Sequence, residues 1–289
     1  MSTVVLTDST ACLPAAMARA AGVHVLPLHV VVGRETYAEG VDIDAARVAT
    51  LLRQGQEKVS TSRPAPGEFV QVYRDLAERT GCTAILSLHL SHKVSGTVDS
   101  ARLAAEAVAG EVRVEVVDSG VLGMAMGYAA CSAAEAAAGG AALEEVAALA
   151  RERAAGSSTY FYLDSLEHLR RGGRVGTAAA IVGSALAIKP LLTLADGEVQ
   201  LSERVRTRAK ALARLEQRCI ADVKAAGASG ADVAVHHLGW PDQAADMGDR
   251  LRLEVGATAH VDLVELGAVT GVHTGPGTLA VVVSPRPAG

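Results

Sequence analysis

Three short runs rich in β-branched and aliphatic residues, 3–7, 84–89 and 112–117, each give way to a stretch whose apolar residues recur at helical spacing. That alternation constrains the fold more than any other feature, because strands in series that are each followed by a helix call for a parallel sheet covered by helices. Helices are expected at 13–21, 67–80, 96–108, 121–138 and 143–154. The stretch 23–60 interrupts the pattern with an apolar run containing Pro27 and with Asp42-Ile43-Asp44 leading a helix. It reads as a small extension or a crossing strand pair.

The pattern changes after Gly156-Ser157-Ser158. A strand at 159–163 is followed by short helical spacing at 165–171, a helix at 177–188 and a hairpin. The hairpin tip is Asp196-Gly197, set between Leu191-Leu192-Thr193-Leu194 and Val199-Gln200-Leu201. Asp-Gly is favoured there because both turn residues need positive φ. A helix at 207–226, a strand at 232–237, a helix at 242–254 and strands at 260–266 and 278–284 complete a half with antiparallel pairing. The expected fold class is therefore α/β in two domains. The first, 1–156, has a parallel sheet and carries the extension at about 23–60; the second, 157–289, has a mixed sheet.

A chain of 289 residues that is 49% hydrophobic and 20% charged has ample material for two cores. Its net charge of -5 offers no attraction for a polyanionic backbone, which excludes nucleic acid as the expected partner. Cys12, Cys82, Cys131 and Cys219 lie far apart, without the paired spacing of a zinc site or a disulfide framework. No metal and no cofactor are expected, and a reduced, cytoplasmic setting fits. The start of the chain lacks the basic and apolar segments of a secretory signal. The apolar stretches 121–134 and 178–188 fall short of the roughly 20 residues that span a bilayer.

In a parallel sheet the loops after the strands gather on one edge, where helix N-termini offer unpaired backbone donors. Asp8-Ser9, the segment from Ser91 to Thr97, and Asp118-Ser119 all fall at such places. Helix capping is the commoner role of these residue types, and it stands beside the functional reading. Thr61-Ser62 precedes Arg63-Pro64, and proline biases the backbone before it toward an extended form whose hydroxyls can point at a ligand. At Ser95-Gly96-Thr97 the glycine allows close approach and the following helix favours negative charge. His273 lies in Thr270-Gly271-Val272-His273-Thr274-Gly275-Pro276-Gly277, which reads as a rigid loop aiming one imidazole. These groups suit a single small anion such as a carboxylate. The phosphate-loop pattern and the glycine-rich nucleotide loop are absent.

Seven segments occur here in the order seen in the DegV family, which the whole chain resembles: Thr7-Asp8-Ser9-Thr10, Thr61-Ser62-Arg63-Pro64, Ser91 to Thr97, Val117-Asp118-Ser119, Leu166 to Arg174, Ile188-Lys189-Pro190 and His273-Thr274-Gly275-Pro276-Gly277. The resemblance implies an N-terminal Rossmann-like α/β/α domain and a C-terminal mixed-sheet domain, with a long-chain fatty acid between them. It further implies that a partner ATP-dependent fatty acid kinase phosphorylates the bound carboxylate, giving an acyl phosphate for phospholipid synthesis. On this reading the protein is a lipid-presenting subunit and not itself an enzyme. Delivery of such a ligand admits transient membrane contact.

Carried over by motif, Thr61, Ser62, Ser95 and His273 contact the carboxylate. Asp8, Ser9, Gly96, Thr97, Asp118, Ser119, Gly275 and Gly277 shape the loops, and Arg174 and Arg206 form a basic rim for the kinase. The chain departs from the family pattern at His92, where a second serine is frequent, and at Arg63, where glutamine or a small residue is common. Two alternatives stand beside this reading. One is a serine hydrolase acting on acyl esters, with Ser95 as nucleophile, His273 as base and Asp8 or Asp118 orienting it. The other is a carrier or sensor of a different hydrophobic acid.

Overall fold

The computed structural model describes residues 2–176, Ala178 and 189–287. Two compact units emerge, one formed by Met1–His29 with Ser62–Ala155, the other by Val30–Thr61 with Gly156–Gly289. The chain begins in the first unit with β1 (Thr3–Asp8), α1 (Ala15–Ala21) and β2 (Val23–Leu26). It then contributes β3 (His29–Val32), β4 (Glu35–Ala38), α2 (Ala45–Gln54) and β5 (Val59–Ser62), most of which belong to the second unit. The first unit resumes with α3 (Pro66–Thr80), β6 (Ala84–His89), α4 (Thr97–Ala107), β7 (Arg113–Asp118), α5 (Met124–Ala138) and α6 (Leu143–Ala155). The second closes with β8 (Ser158–Tyr162), α7 (Glu167–Arg171), β9 (Leu191–Ala195), β10 (Glu198–Glu203), α8 (Arg208–Ala225), β11 (Ala231–Leu238), α9 (Pro241–Val255), β12 (Ala259–Glu265), α10 (Ala268–Thr274) and β13 (Thr278–Pro285).

The first unit is built on a parallel sheet in the order β2-β1-β6-β7. Every residue of β6 is buried, as a central parallel strand covered on both faces requires. On one face Phe69, Tyr73 and Leu76 of α3 and Ala101 and Ala104 of α4 pack against Leu6 and Ile85. On the other, α5 lies against β1 and α6 against β6 and β7. The first ten residues of α5 are nearly all buried, five of them alanine or glycine, so this helix packs closely with little side-chain bulk.

The second unit carries a six-stranded sheet in the order β10-β9-β8-β13-β11-β12, in which β11 and β12 pair in parallel and the other neighbours are antiparallel. Leu215, Cys219 and Val223 of α8 and Met247 and Leu251 of α9 meet Val233 and Val235 of β11 and Val281 and Val283 of β13. Alternate residues of each strand reach that core, the period a pleated strand imposes. Asp196 and Gly197 have φ of 50° and 78°, the turn that the Asp-Gly pair predicts. The segment 30–61 supplies a three-stranded sheet, β4-β3-β5, and α2, which packs on α10.

Three differences from the sequence reading matter for the site. The stretch 23–60, expected as an extension of the first domain, divides: β2 stays with the first unit and residues 30–61 join the second. His273 stands in the last turn of α10, not in a loop, because Gly271 fits against Leu238, where a β-carbon would approach to 3.0 Å, and the helix ends only at Gly275. The helix expected at 177–188 lies outside the described residues, Ala178 apart.

A buried polar chain fixes the carboxyl edge of the parallel sheet. Tyr73 Oη lies 2.8 Å from Ser87 Oγ, which lies 2.6 Å from His89 Nε2, and His89 Nδ1 lies 2.9 Å from Asp8 Oδ2. The same carboxylate accepts from Leu90 N at 3.2 Å and from Thr10 N at 3.0 Å. Asp8, Ser87 and His89 have no solvent exposure, so each bond satisfies a group that water cannot reach. His89→Leu strips the Asp8 carboxyl of its imidazole partner, and a loss of about 3–5 kcal/mol is expected. Hydrogen exchange of the β6 amides reads it directly; protection equal to wild type would show that the pair contributes nothing.

Candidate functional site

Strand β5 ends in three consecutive polar residues, Ser60, Thr61 and Ser62, and its Thr61 side chain meets His273 at the C-terminal end of α10. Thr61 Oγ1 and His273 Nε2 are 2.8 Å apart across 212 positions of sequence, within the second unit. The pair lies beside a cleft of about 500 Å³, a size usual for small-molecule sites. Leu51 and Leu52 of α2, Val59 of β5 and Val272 of α10 give the cleft an apolar wall. Lys58, Arg171 and Arg174 line it with positive charge against one acid, Glu57, which sets a cationic locus on a chain of net charge -5. A concave wall of one sign concentrates anions.

Burial pushes the His273 imidazole down to about 4, with the nearby Arg174 guanidinium acting in the same direction. The ring is therefore neutral near pH 7 and carries one N–H. Its Nδ1 has no hydrogen-bond partner among the described residues, whereas Nε2 faces Thr61. A buried N–H without an acceptor is costlier than a bare lone pair in the same place, so the proton belongs on Nε2. His273 then donates to Thr61 Oγ1, and the threonine hydroxyl is left with its own hydrogen to give to a ligand.

The imidazole is wedged in place. A β-carbon at Gly172, just past α7, would lie 2.2 Å from His273 Nδ1, and one at Gly275, just past α10, would lie 2.2 Å from His168 Cδ2. Each helix thus seats its histidine on the glycine that terminates the other. His168 also lines the cleft, and burial is the main cause of its lowered pKa. Gly277 N donates to Leu238 O at 3.0 Å and so ties the turn after α10 to the end of β11. Arg174 Nη1 donates to Gly172 O, which directs that arginine along the cleft, and Arg206 is exposed between β10 and α8.

The remaining sequence candidates belong to the first unit. Ser95 Oγ and Thr97 Oγ1 are 2.9 Å apart at the start of α4, and Arg63 Nη1 donates to Gly96 O at 3.3 Å. What approaches Gly96 closely is this guanidinium: a β-carbon there would lie 1.6 Å from Nη1. Ser62 is exposed at the end of β5. Ser9 Oγ accepts from Leu28 N at 2.9 Å, and Ser119 Oγ both accepts from Val121 N and donates to Val121 O. Asp118 accepts from Gly120 N and His92 N and pairs with the His92 ring. Asp8, Ser9, Asp118 and Ser119 thus shape the edge loops through backbone contacts. Two observations bear on the hydrolase alternative: Ser95 Oγ shares its bond with Thr97, and His273 Nε2 shares its own with Thr61.

Sequence reasoning missed His168, Lys58, Arg171 and the leucines of α2 as parts of the cleft. His168 and Arg171 stood within a recognised segment, 166–174, without a role. The leucines were hidden because nothing in the sequence says which face of α2 looks into a cavity. Among the described residues no cluster could hold a metal ion, and no helix is long and apolar enough to cross a membrane.

Known proteins resemble this chain over nearly its whole length. A family model described as an uncharacterised protein of the DegV family matches residues 2–286. A DegV domain-containing protein of Streptomyces coelicolor is 49% identical over 282 residues, 98% of each chain. The solved structure of a fatty-acid-binding DegV family protein from Thermus thermophilus superposes with a TM-score of 0.89 at 33% identity, covering 99% of this chain and 100% of the other. DegV from Bacillus subtilis, described as a fatty acid binding protein, gives 0.90 at 32% identity with the same coverage.

The neutral imidazole sets a pH dependence. Folded His273, held near 4, binds fewer protons than the unfolded residue near 6.5, as does buried His236, also lowered to about 4. Their contribution is fully present above about 6.5 and is lost as pH falls toward 4. Urea unfolding followed by the fluorescence of Trp240 should show stability dropping across that window, with a shallower drop in His273→Asn. Identical slopes for the two proteins would refute the assignment.

Proposed function

This chain belongs to the DegV family, and we propose on that premise that it binds a long-chain fatty acid, burying the acyl tail and leaving the carboxylate for a partner ATP-dependent kinase to convert to an acyl phosphate. The observation that carries the proposal is the Thr61–His273 pair, a hydroxyl freed by an imidazole to donate, set beside apolar and cationic side chains in one cleft. The proposal assigns Thr61 to the carboxylate directly and His273 through the hydrogen bond that orients the Thr61 hydroxyl, and Ser62 and Ser95 to the carboxylate on the strength of their motifs. Solved DegV proteins from Thermus thermophilus and Bacillus subtilis that bind fatty acids support the ligand class.

The energetics divide the labour. Burying a dozen methylenes at about 0.8 kcal/mol each gives a gross gain near 10 kcal/mol, whereas one hydrogen bond to a charged head nets about 1.5–3 kcal/mol. The tail supplies most of the affinity, while each bond to the head adds about tenfold or more and sets where the carboxylate points. The exposed cations Arg174 and Arg206 are the proposed docking points for the kinase and its anionic nucleotide, and the cytoplasm is the proposed setting.

Mass spectrometry of an organic extract of the purified, undelipidated protein should yield a C14 to C18 acid in about stoichiometric amount. Thr61→Ala and Ser95→Ala should retain most of that lipid yet lower acyl phosphate formation about tenfold or more with the cognate kinase. An extract free of such acids, or complete loss of lipid in both variants, would overturn the reading.

A further inference from the structure

The strand–helix excursion 30–61 grips α10 at both ends. At the C-terminal end, Thr61 meets His273. At the N-terminal end, Glu39 reaches in from the other side of the same excursion. Its Oε1 accepts from Val269 N at 2.8 Å, in the first turn of the helix. The carboxylate sits so close to the chain that a β-carbon at Gly267 would lie 2.3 Å from Oε1 and 3.1 Å from Cδ. Between the two grips, α2 of the excursion packs along α10. Glu39 is a rarity for its type, a glutamate only 7% exposed.

Burying a carboxylate is expensive unless hydrogen bonds repay it, so its placement needs a reason. The loop that carries it is itself fixed. Ala38 O accepts from Val41 N and Asp42 N, Gly40 N donates to Ile43 O, and Asp42 Oδ2 accepts from Ala38 N. Asp44 then caps α2 by accepting from Arg47 N at 2.8 Å. Glu39 therefore projects from a rigid base onto the end of α10 where unpaired N–H groups and the positive end of the helix dipole favour a negative group. A helix of seven residues has few hydrogen bonds of its own, and displacing its first turn displaces the histidine in its last.

We propose that Glu39 is a positioning residue for the ligand site: it fixes the axial and rotational setting of α10 and thereby aims His273 Nε2 at Thr61 and the threonine hydroxyl at the ligand. Resting on the fatty-acid reading above, this assigns a role in ligand binding to a side chain outside the lining of the cleft. Glu39→Gln keeps the accepting oxygen, and Glu39→Ala removes it.

The test uses full-length protein, nitrogen-15 resonances of the His273 ring, and oleate as the probe. In Glu39→Ala the His273 resonances move and oleate binds about tenfold more weakly, while Glu39→Gln restores both to near wild type. Leu215→Ala, in the α8 core, serves as a matched loss of stability and leaves both readouts in place. An Ala variant that loses thermal stability but keeps the His273 resonances and the oleate affinity would make Glu39 a mere cap and overturn the proposal. So would failure of Gln to rescue. Should the Ala variant not fold, Glu39→Asp, with a shorter reach, is expected to fall between wild type and the tenfold loss, and wild-type values for it would overturn the proposal. If wild type takes up no oleate, the lipid reading fails by itself, and movement of the His273 resonances alone decides the role of Glu39.

Discussion

The candidate site depends on one hydrogen bond, from His273 Nε2 to Thr61 Oγ1, made by residues 212 positions apart. Bringing such distant segments together carries an entropic cost that grows slowly with separation, and fixing each side chain adds more. The fold meets those costs before the bond forms. Strand β5 is pinned in the β4-β3-β5 sheet, α10 is pinned at its first turn by Glu39, and the imidazole is wedged against Gly172. A neutral ring held this way has a single choice of proton position. The threonine beside it acquires a direction as well as a location.

Buried polar groups occur here in two arrangements. In the first, Tyr73, Ser87, His89 and Asp8 satisfy one another in a closed chain beneath the sheet edge, so little of that chain is offered outward. In the second, His273 Nδ1 is left without a partner among the described residues, and the pair it belongs to borders a cleft. Fully satisfied networks rigidify, whereas the bare Nδ1 keeps a lone pair that only a donor can use, so the grip on an anion falls to the Thr61 hydroxyl that Nε2 orients. Asp8, Ser9, Asp118 and Ser119 are engaged in hydrogen bonds to backbone groups of the edge loops, and the functional proposal rests on Thr61 and His273.

Much of the architecture was legible in the residues. The parallel strands announced themselves because their β-branched runs are flanked by clear helical spacing, and the Asp196-Gly197 turn because few other pairs tolerate φ of 50° and 78°. The helix α10 was not legible. Gly271, Gly275, Pro276 and Gly277 look like loop chemistry, and only the tertiary contact of Gly271 with Leu238 shows that one of them serves packing within a helix. Nor could the sequence show that residues 30–61 leave the unit in which the chain begins, since that choice is made by packing of α2 on α10. Thr61 and His273 stood out by local sequence, one ahead of Arg63-Pro64 and the other in a glycine-rich run, and again in the family resemblance; their direct bond is a tertiary contact that no local pattern shows. Glu39 gave no local signal, because a glutamate in a polar loop is ordinarily a solvated one.

The reciprocal seating of His168 on Gly275 and His273 on Gly172 has a mechanical meaning. Two short helices that each plug an aromatic ring into the other's terminal gap cannot slide lengthwise without driving a ring into main chain, so α7 and α10 behave as one rigid bracket. Arg171, at the end of one arm, keeps a constant offset from the imidazole at the end of the other. Whatever shifts the ring shifts the cation with it.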